Sequence, residues 1–492
     1  MKKFYIATAI PYVNALPHVG NALDYVLADT ISRYYQMQGY AVFFSTGSDE
    51  HGQKIAEKAA EQHQATQAYV DSMVPGWKDF AKALNIEYSY WIRTTEPKHV
   101  KAAQLIWKKL EPYIYKKSYT GWYCVGHEEF VTELQYKTNK GVCPDHNKPY
   151  VKISEENYFF KLTEFGTKIK EAIAKDEYKV VPAVRKNEVM ALLNSGLEDI
   201  SISREAKRLK WGVPVPGDPS QVMYVWFEAL MNYITTLDYP SGENFKTFWP
   251  ADIQIVGKDI IRFHAVIWPA MLMGLDLPLP KQLLVHGHIQ VANQKMSKTI
   301  GNVISPLDIV KDYGIDAFRY YFLRHIPTQG DGDFTWERFE DAYNNELGNE
   351  LGNLVQRVAS MINRYQEGVI GIIPEASHDT VPYQEAMADL RLDKALDYLW
   401  VLVKGLNQYI DEEKPWEIAK AEDGQHLQEV LAYTVSSLLQ ISQMLLPFLP
   451  NTSAAIKATF EKEVVKPYEG VLFPKIYLHT KDARAGHKHG AH

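Results

Sequence analysis

Residues 4–45 predict a βαβ unit, and they read FYIATAIPYVNALPHVGNALDYVLADTISRYYQMQGYAVFFS. We expect an apolar strand at 4–9, a helix from about 21 to 37 that Gly39 ends, and a second strand at 41–45. This layout is typical of a nucleotide-binding sheet. The first strand is not followed by a GxGxxG pattern, which removes most of the support for an NAD or FAD enzyme. A parallel sheet that binds another nucleotide is therefore predicted.

Bulk composition limits the classes of protein that remain. The chain has 492 residues, which suits about three domains at roughly 100 to 200 residues each. Hydrophobic residues make up 46% and charged residues 23% of the sequence, as in globular proteins. No apolar run approaches the roughly 18 to 20 residues that span a bilayer. The net charge of −7 argues against indiscriminate binding of nucleic acid, so any RNA contact must be local.

The amino terminus and the cysteines bear on where the protein works. Two lysines precede the first apolar stretch, but Pro11 and Asn14 interrupt it before a signal-peptide core is complete. We interpret this stretch as a buried strand. The chain has only Cys124 and Cys143, which do not suggest an oxidised disulfide framework. The predicted location is the cytoplasm.

Changes in composition and in hydrophobic pattern divide the chain into segments. A turn-rich stretch with basic clusters interrupts the α/β pattern, which resumes with a strand near 253–256, a helix near 260–274 and a strand near 282–287. From about 345 the apolar positions repeat at helical spacing, which predicts a helical bundle. The predicted segments are the first half of the nucleotide-binding fold at 1–111, an inserted domain at 112–215, the second half at 216–285, a connecting region at 286–344, a helical domain at 345–480 and a disordered tail at 481–492.

The loop between the first strand and its helix carries His18, Gly20 and Asn21. The free amides at a helix amino terminus attract phosphate. His18 and Asn21 could donate hydrogen bonds to phosphate oxygens, and Gly20 would leave room for a flat adenine. Alternatively, His18 is a helix cap or a surface residue. Taken alone, the motif predicts a phosphate site only weakly.

A second motif, Lys295-Met296-Ser297-Lys298-Thr299, follows the strand that ends in His286-Gly287-His288. Its two lysines could converge on one anion. Adenylate formation builds charge on the α-phosphate and the leaving pyrophosphate, which ammonium groups stabilise. The alternative is an ordinary charged loop. The two motifs together, with a Rossmann-like pattern between them, are far more specific than either one.

An aromatic stripe lies at Trp226, Leu230 and Tyr233. The spacing places the three side chains on one face of a helix. Such an apolar wall suits a thioether, which makes favourable contacts with aromatic rings. The alternative is that the stripe belongs to the core.

Two Cys-x2-His pairs, Cys124 with His127 and Cys143 with His146, use both cysteines of the chain. Four nitrogen and sulfur ligands match a tetrahedral zinc site, and a site with all four positions filled is structural. The alternative is two unrelated cysteines and two surface histidines.

A polar helix face is predicted at Asn349, Asn353 and Arg357, with Trp416 as the candidate aromatic partner. Amides, a guanidinium and a ring are what unpaired bases need for hydrogen bonding and stacking. For a polar face in general, solvation is the alternative.

The motifs at 18–21 and 295–299 resemble the two signatures of class I aminoacyl-tRNA synthetases. Both depart from the commonest forms, since histidine usually stands at the place of Asn21 and serine at that of Thr299. Asn21 can still donate to phosphate and Thr299 keeps a hydroxyl, so we expect altered rate constants at most. The resemblance implies catalytic roles for His18, Asn21, Lys295 and Lys298, and ATP contacts for Gly20, Met296 and Ser297.

Further matches lie at 9–12, 47–52, 224–233 and 257–264. With these segments, the chain resembles methionyl-tRNA synthetases over nearly its whole length. The resemblance implies that Asp49, in Gly47–Gly52, pairs with the α-ammonium of methionine, and that Gly257 and Asp259 contact the ATP ribose. The implied methionine-binding residues are Ile10, Tyr12, Asp49, Trp226, Leu230, Tyr233, Ile260 and His264.

The same resemblance gives the other segments their expected roles. The inserted domain would carry a structural zinc knuckle, although some members of the family lack the metal. The region 286–344 would contact the tRNA stem, and Asn349, Asn353, Arg357 and Trp416 would read the CAU anticodon.

The implied activity is ATP-dependent activation of L-methionine and its transfer to tRNA(Met), with ATP and Mg²⁺, one Zn²⁺, no membrane and a monomeric chain. The insertion is too short for the hydrolytic editing domain of the leucine, isoleucine and valine enzymes, which ranks them lower. A small-molecule nucleotidyltransferase and a non-catalytic tRNA-binding protein remain as alternatives. The first would not need the helical region, and the second would not exchange pyrophosphate into ATP.

Overall fold

The computed structural model describes residues 1–126, 129–145, 147–292, 294–295, 304–376, 378–461, 464–466 and 470–479; at 119, 129, 294 and 295 it describes the backbone alone. The chain forms two compact units. The first contains residues 1–17, 40–80 and 87–285, and the second contains 18–39, 81–86 and 286–492.

The strands of the described chain follow in order. They are β1 Lys3–Thr8, β2 Ala41–Ser48, β3 Tyr90–Arg93, β4 Ile114–Cys124, β5 Glu129–Val131, β6 Val151–Phe160, β7 Lys179–Val181, β8 Ile200–Ser201, β9 Ser203–Glu205, β10 Pro214–Val215, β11 Asp218–Met223, β12 Ile253–Gly257, β13 Gln282–His286, β14 Ile289–Val291, β15 Gln294–Lys295 and β16 Gly332–Phe334.

The α-helices of the described chain are α1 Val19–Met37, α2 Gln53–Glu61, α3 Thr66–Ala83, α4 Pro97–Leu110, α5 Glu133–Thr138, α6 Gly166–Ala174, α7 Ala183–Asn194, α8 Val225–Ala229, α9 Asn232–Thr235, α10 Glu243–Phe248, α11 Trp268–Gly274, α12 Pro306–Tyr313, α13 Ile315–Arg324, α14 Trp336–Asp341, α15 Asn353–Gln366, α16 Val381–Ala388, α17 Leu392–Glu413, α18 Pro415–Lys420, α19 Gly424–Leu445 and α20 Pro450–Phe460. Short 3₁₀ helices lie at Glu111–Tyr113, Leu162–Phe165 and Lys258–Ile260, and π-helices at Phe263–Ile267 and Ala342–Gly352.

The first unit is built on a sheet with the strand order β3-β2-β1-β12-β13-β7. The pairs β2–β3, β1–β2, β1–β12 and β13–β7 are parallel. Parallel strands covered on both faces are mostly apolar, and the five residues of β12 are all buried. This confirms the α/β fold with a parallel sheet. The carboxyl ends of β2, β1 and β12 meet at one edge, where ligands of such sheets bind.

The segment 112–215, predicted as an inserted domain, contains its own antiparallel sheet, β5-β4-β6-β8. Its long central pair runs from Ile114 opposite Phe160 to Tyr123 opposite Val151. β7 also lies within this segment, but it pairs with β13 at the end of the parallel sheet. The inserted segment therefore contributes a strand to the first unit's main sheet, and the proposed boundaries stay predictions.

The second unit is mostly helical, as predicted for the region after 345. Leu347, Leu351, Leu354, Val355 and Val358 are all fully buried, which confirms that these apolar positions form a core. The helical segment is not α-helical throughout, because Ala342–Gly352 is a π-helix that continues into α15.

A buried arginine fixes α1 within the second unit. Arg319 on α13 is fully buried and lies 2.8 Å from an Asp29 carboxylate oxygen on α1, and its Nε donates to the Phe448 carbonyl at 2.7 Å. Asp29 also pairs with Arg33 at 2.7 Å. Buried charges need such partners, so this cluster anchors the helix that begins directly after His18.

None of the described helices is long and apolar enough to cross a membrane. The predicted tail, 481–492, lies outside the described residues.

Candidate functional site

The loop after β2 joins the loop after β1 at the ligand edge of the sheet. The Asp49 N–H donates to the Pro11 carbonyl at 2.9 Å, and the Val13 N–H donates to the Asp49 carbonyl at 3.3 Å. Asp49 is buried, with 2% of its surface exposed. Gly47 is required at the strand end, because a Cβ there would lie 2.2 Å from the Ile92 carbonyl oxygen. The two predicted segments that carry Tyr12 and Asp49 are thus brought together.

The carboxylate of Glu50, the residue after Asp49, is hydrogen-bonded to other side chains of the protein. Arg93 donates to both of its oxygens, at 2.7 and 2.8 Å, and Ser48 and Thr95 donate at 2.6 and 2.5 Å. The Trp211 ring N–H donates to the Glu50 carbonyl at 2.6 Å. This cage fixes the loop. It also makes Asp49 the better candidate of the two acids for binding a ligand's ammonium group.

An aromatic wall stands beside this loop. The Trp226 ring stacks on Phe263 with centroids 4.4 Å apart and an interplanar angle of 16°. Tyr12 meets Trp226 edge to face at 5.8 Å. The predicted single helix is instead two short ones, α8 and α9, and Leu230 and Tyr233 are buried. Phe263 was missed from the sequence, although it lies between the two predicted residues Ile260 and His264.

His264 closes the wall as a neutral imidazole. Its Nδ1 lies 3.0 Å from the Ile260 carbonyl, so Nδ1 carries the proton and donates. Its Nε2 then accepts from the Tyr233 hydroxyl at 2.8 Å. Burial lowers the pKa of His264 to about 4. An uncharged surface suits an apolar thioether, since a charge there would lose its hydration.

Gly257 and Asp259 lie at the carboxyl end of β12. Gly257 is the last residue of that buried strand, and Asp259 is exposed in the 3₁₀ turn that follows. β12 is the direct neighbour of β1. The predicted ribose-contacting residues therefore share a sheet edge with the loop that carries Tyr12.

In the second unit, His18 is the amino-terminal cap of α1. Its Nδ1 accepts from the Gly20 N–H at 3.1 Å, and Asn21 Oδ1 accepts from the His18 N–H at 3.1 Å. This is a reciprocal capping box. With Nδ1 as acceptor, the proton of a neutral His18 ring is on Nε2. A Cβ on Gly20 would lie 2.9 Å from the imidazole, so this glycine makes room for the cap, where the sequence suggested room for adenine.

The lysine motif is only partly described. The Lys295 backbone pairs with Gln290 across β14 and β15. The side chain of Lys295, and Met296, Ser297 and Lys298 entirely, lie outside the described residues. Their predicted roles are therefore untested.

Cys124 and Cys143 are reduced and buried in one small cluster with Val131 and Tyr150. Two thiols gathered in this way fit the sulfur half of a zinc site. His127 and His146 lie outside the described residues. Among the described residues, no three histidine, cysteine, aspartate or glutamate side chains gather to hold a metal.

The predicted anticodon residues are largely solvent-accessible in the second unit. Asn353 is exposed, and Asn349 donates to Asn345 Oδ1 at 3.1 Å. Arg357 pairs with Asp411 at 2.7 Å, with 38% and 62% of the two side chains exposed. Asn349 lies in the π-helix Ala342–Gly352, and Asn353 is the first residue of α15, which follows it directly. α18, which carries Trp416, contacts α15.

Comparison with known proteins identifies the class. The family described as tRNA synthetases class I (M) matches residues 4–149 and 145–359. The chain is 44% identical to methionine--tRNA ligase of Clostridium acetobutylicum, across 98% of this chain and 79% of the relative. It is 39% identical to that of Thermotoga maritima, across 96% and 78%.

Solved structures agree with these relatives. Mycobacterium tuberculosis methionyl-tRNA synthetase in complex with methionyl-adenylate superposes with a TM-score of 0.90 and 32% identity, covering 96% of this chain and 100% of that one. The fold and the matched motifs define a class I aminoacyl-tRNA synthetase. Within that class, the chain belongs to the methionine--tRNA ligase family.

Proposed function

We propose that this chain activates L-methionine with ATP to methionyl-adenylate and pyrophosphate, and then transfers methionine to the 3′-terminal adenosine of tRNA(Met). The observation that carries the proposal is the grouping of Asp49 with Tyr12 and the Trp226 wall at the ligand edge of a parallel sheet. One end of this site is anionic and the other is apolar and neutral. That is the pattern of an amino acid with an ammonium group and a thioether side chain.

In the binding step, Asp49 pairs with the α-ammonium. The side chain of methionine lies against an apolar wall and ends at Ile260 and His264. The wall consists of Ile10, Tyr12, Trp226, Leu230 and Tyr233. Phe263 belongs to this set because it stacks on Trp226. One methylene is worth only about 1 to 3 kcal/mol to such a pocket, so close contact along the whole side chain is needed to separate methionine from shorter amino acids.

In the activation step, a methionine carboxylate oxygen attacks the α-phosphorus of ATP, and the bond to the β-phosphate oxygen breaks. Developing charge is stabilised by the His18 ring N–H, Asn21, Lys295 and Lys298. Gly20, Gly257, Asp259, Met296 and Ser297 contact the nucleotide. Mg²⁺ would arrive on the phosphates of ATP, where it neutralises part of their charge. No protein nucleophile is needed.

In the transfer step, a terminal-adenosine hydroxyl attacks the carbonyl of the adenylate and AMP leaves. The helical domain binds the anticodon through Asn349, Asn353, Arg357 and Trp416. The adjacency of α15 and α18 supports this assignment. Zn²⁺ held by Cys124, His127, Cys143 and His146 would stabilise the inserted segment without taking part in the chemistry.

Two measurements test these assignments. In methionine-dependent exchange of pyrophosphate into ATP, Lys295→Ala should remove most activity. A non-catalytic tRNA-binding protein would give no exchange even before mutation. Metal analysis should find one zinc per chain in the wild type and none in the Cys124→Ser, Cys143→Ser double variant. Equal zinc in both preparations would contradict the metal assignment.

A further inference from the structure

Glu228 on α8 is a fully buried carboxylate whose two oxygens bind two histidines. His51 Nδ1 lies 2.8 Å from Oε1, and His99 Nε2 lies 2.7 Å from Oε2. Burial by itself raises the pKa of Glu228, but the interactions with His51 and His99 outweigh it, so the pKa lies below the ordinary value. The group is therefore an anion that imidazole N–H groups hold in place of water.

The hydrogen bonds continue to a second helix. His99 Nδ1 lies 2.8 Å from the Thr235 hydroxyl on α9. His99 therefore bridges the Glu228 carboxylate and the Thr235 hydroxyl. The resulting chain, Thr235 to His99 to Glu228 to His51, links α9, α4, α8 and the loop after β2.

These elements carry the two ends of the proposed methionine site. His51 stands two residues after Asp49, and Glu228 stands two residues after Trp226. Thr235 stands two residues after Tyr233. The Glu228 carboxylate therefore ties the ammonium-binding loop to the helix that bears the aromatic wall. Its own side chain has no exposed surface.

We propose that Glu228 is a positioning residue, which sets the distance between Asp49 and the Trp226 wall so that the ammonium group and the thioether of methionine are bound together. This inference rests on the proposed function. It predicts that loosening Glu228 weakens recognition of amino-acid length more than it weakens binding of ATP.

Glu228→Gln is the sharpest substitution. It keeps the shape of the side chain but places an N–H₂ group where one imidazole N–H needs an acceptor. A mispaired buried donor weakens such a network. We expect the KM for methionine in ATP–pyrophosphate exchange to rise about tenfold while the KM for ATP changes less than about twofold. Preference for methionine over norvaline, which has a shorter side chain, should fall as well.

Glu340→Gln is the matched control. Glu340 is a buried carboxylate of the second unit that accepts from Tyr313 at 2.5 Å and from the backbone N–H of Leu478 at 2.7 Å. It should lower the melting temperature without raising the KM for methionine selectively. Glu228→Asp retains the charge but not the reach to both histidines, so its KM for methionine should fall between those of the wild type and Glu228→Gln.

The outcomes separate this inference from the proposed function. A wild type without methionine-dependent exchange would overturn the function itself. An active wild type in which Glu228→Gln behaves like Glu340→Gln, or raises both KM values together, would overturn the positioning role. Should Glu228→Gln fail to fold, Thr235→Val tests the far end of the same chain. A two- to threefold rise in the methionine KM is expected there, and no change would count against the inference.

Discussion

The proposed methionine site and the proposed anticodon face are built in opposite ways. Around Asp49 the polar groups are buried and paired, as Glu50 is by four donating groups of Arg93, Ser48 and Thr95. Around Arg357 the side chains are accessible, and its ion pair with Asp411 leaves both partners well exposed. A small ligand is selected by a cavity of fixed size and shape, whereas unpaired bases are bound by side chains that can adjust. Substitutions in the two regions should therefore have different consequences.

The largest effect should come from Asp49→Ala. Loss of a charge-assisted partner for the ammonium group costs about 2 to 4 kcal/mol, or roughly 30- to 1000-fold in kcat/KM for methionine. ATP–pyrophosphate exchange measures this directly. Asp276→Asn, at an exposed position after α11, is the control and should match the wild type. Retention of full methionine affinity in Asp49→Ala would assign the ammonium site elsewhere.

Trp416→Ala tests the other region. A stacked base contributes about 1 to 3 kcal/mol, so tRNA charging should fall by roughly 5- to 150-fold while exchange without tRNA stays at the wild-type level. Tyr477→Ala removes an exposed aromatic ring of the second unit and should leave both activities intact. Equal losses of exchange and charging in Trp416→Ala would remove the distinction between the two regions.

The buried, neutral His264 makes the stability of the folded protein depend on pH. The unfolded chain takes up a proton near pH 6.5, but burial holds the pKa of His264 in the folded protein at about 4. Between these values the unfolded state binds more protons, so stability falls as the pH falls. At pH 5 the loss is about 2 kcal/mol.

Urea unfolding at pH 7.5 and pH 5 measures this term. The wild type should lose about 2 kcal/mol more than His264→Gln on acidification. His63→Gln, at an exposed site, should lose as much as the wild type. If the wild type and His264→Gln respond alike to acid, His264 is not a buried neutral group.

The smallest effect is expected at the exposed ion pair. Asp411→Asn should change the free energy of unfolding by less than about 0.5 kcal/mol, because an exposed pair gains little over hydration. Urea unfolding at neutral pH measures this change in the free energy of unfolding. A loss above about 2 kcal/mol would show that this face is as rigidly held as the pocket.

The sequence predicted those parts of the molecule that depend on local pattern. Apolar runs at 4–9, 41–45 and 253–256 became parallel strands, and the helical repeat from Leu347 to Val358 became core. Local pattern did not indicate where the backbone departs from regular α-helical geometry, as in the π-helix at Ala342–Gly352.

Contacts between segments far apart in the chain could not be predicted from the sequence either. His51, His99 and Glu228 meet although 177 and 129 residues separate the histidines from the carboxylate. Phe263 stacks on Trp226 and begins a π-helix that the sequence did not indicate. Buried polar partners follow from the folded sheet, and no periodicity along the chain predicts which of them will meet.

The central claim is that the pocket at the sheet edge selects methionine. ATP–pyrophosphate exchange against a panel of amino acids tests it most directly. We predict exchange that strongly favours methionine in the wild type and collapses in Asp49→Ala. Exchange that favours leucine or valine, or that survives in Asp49→Ala, would contradict the assignment of this pocket.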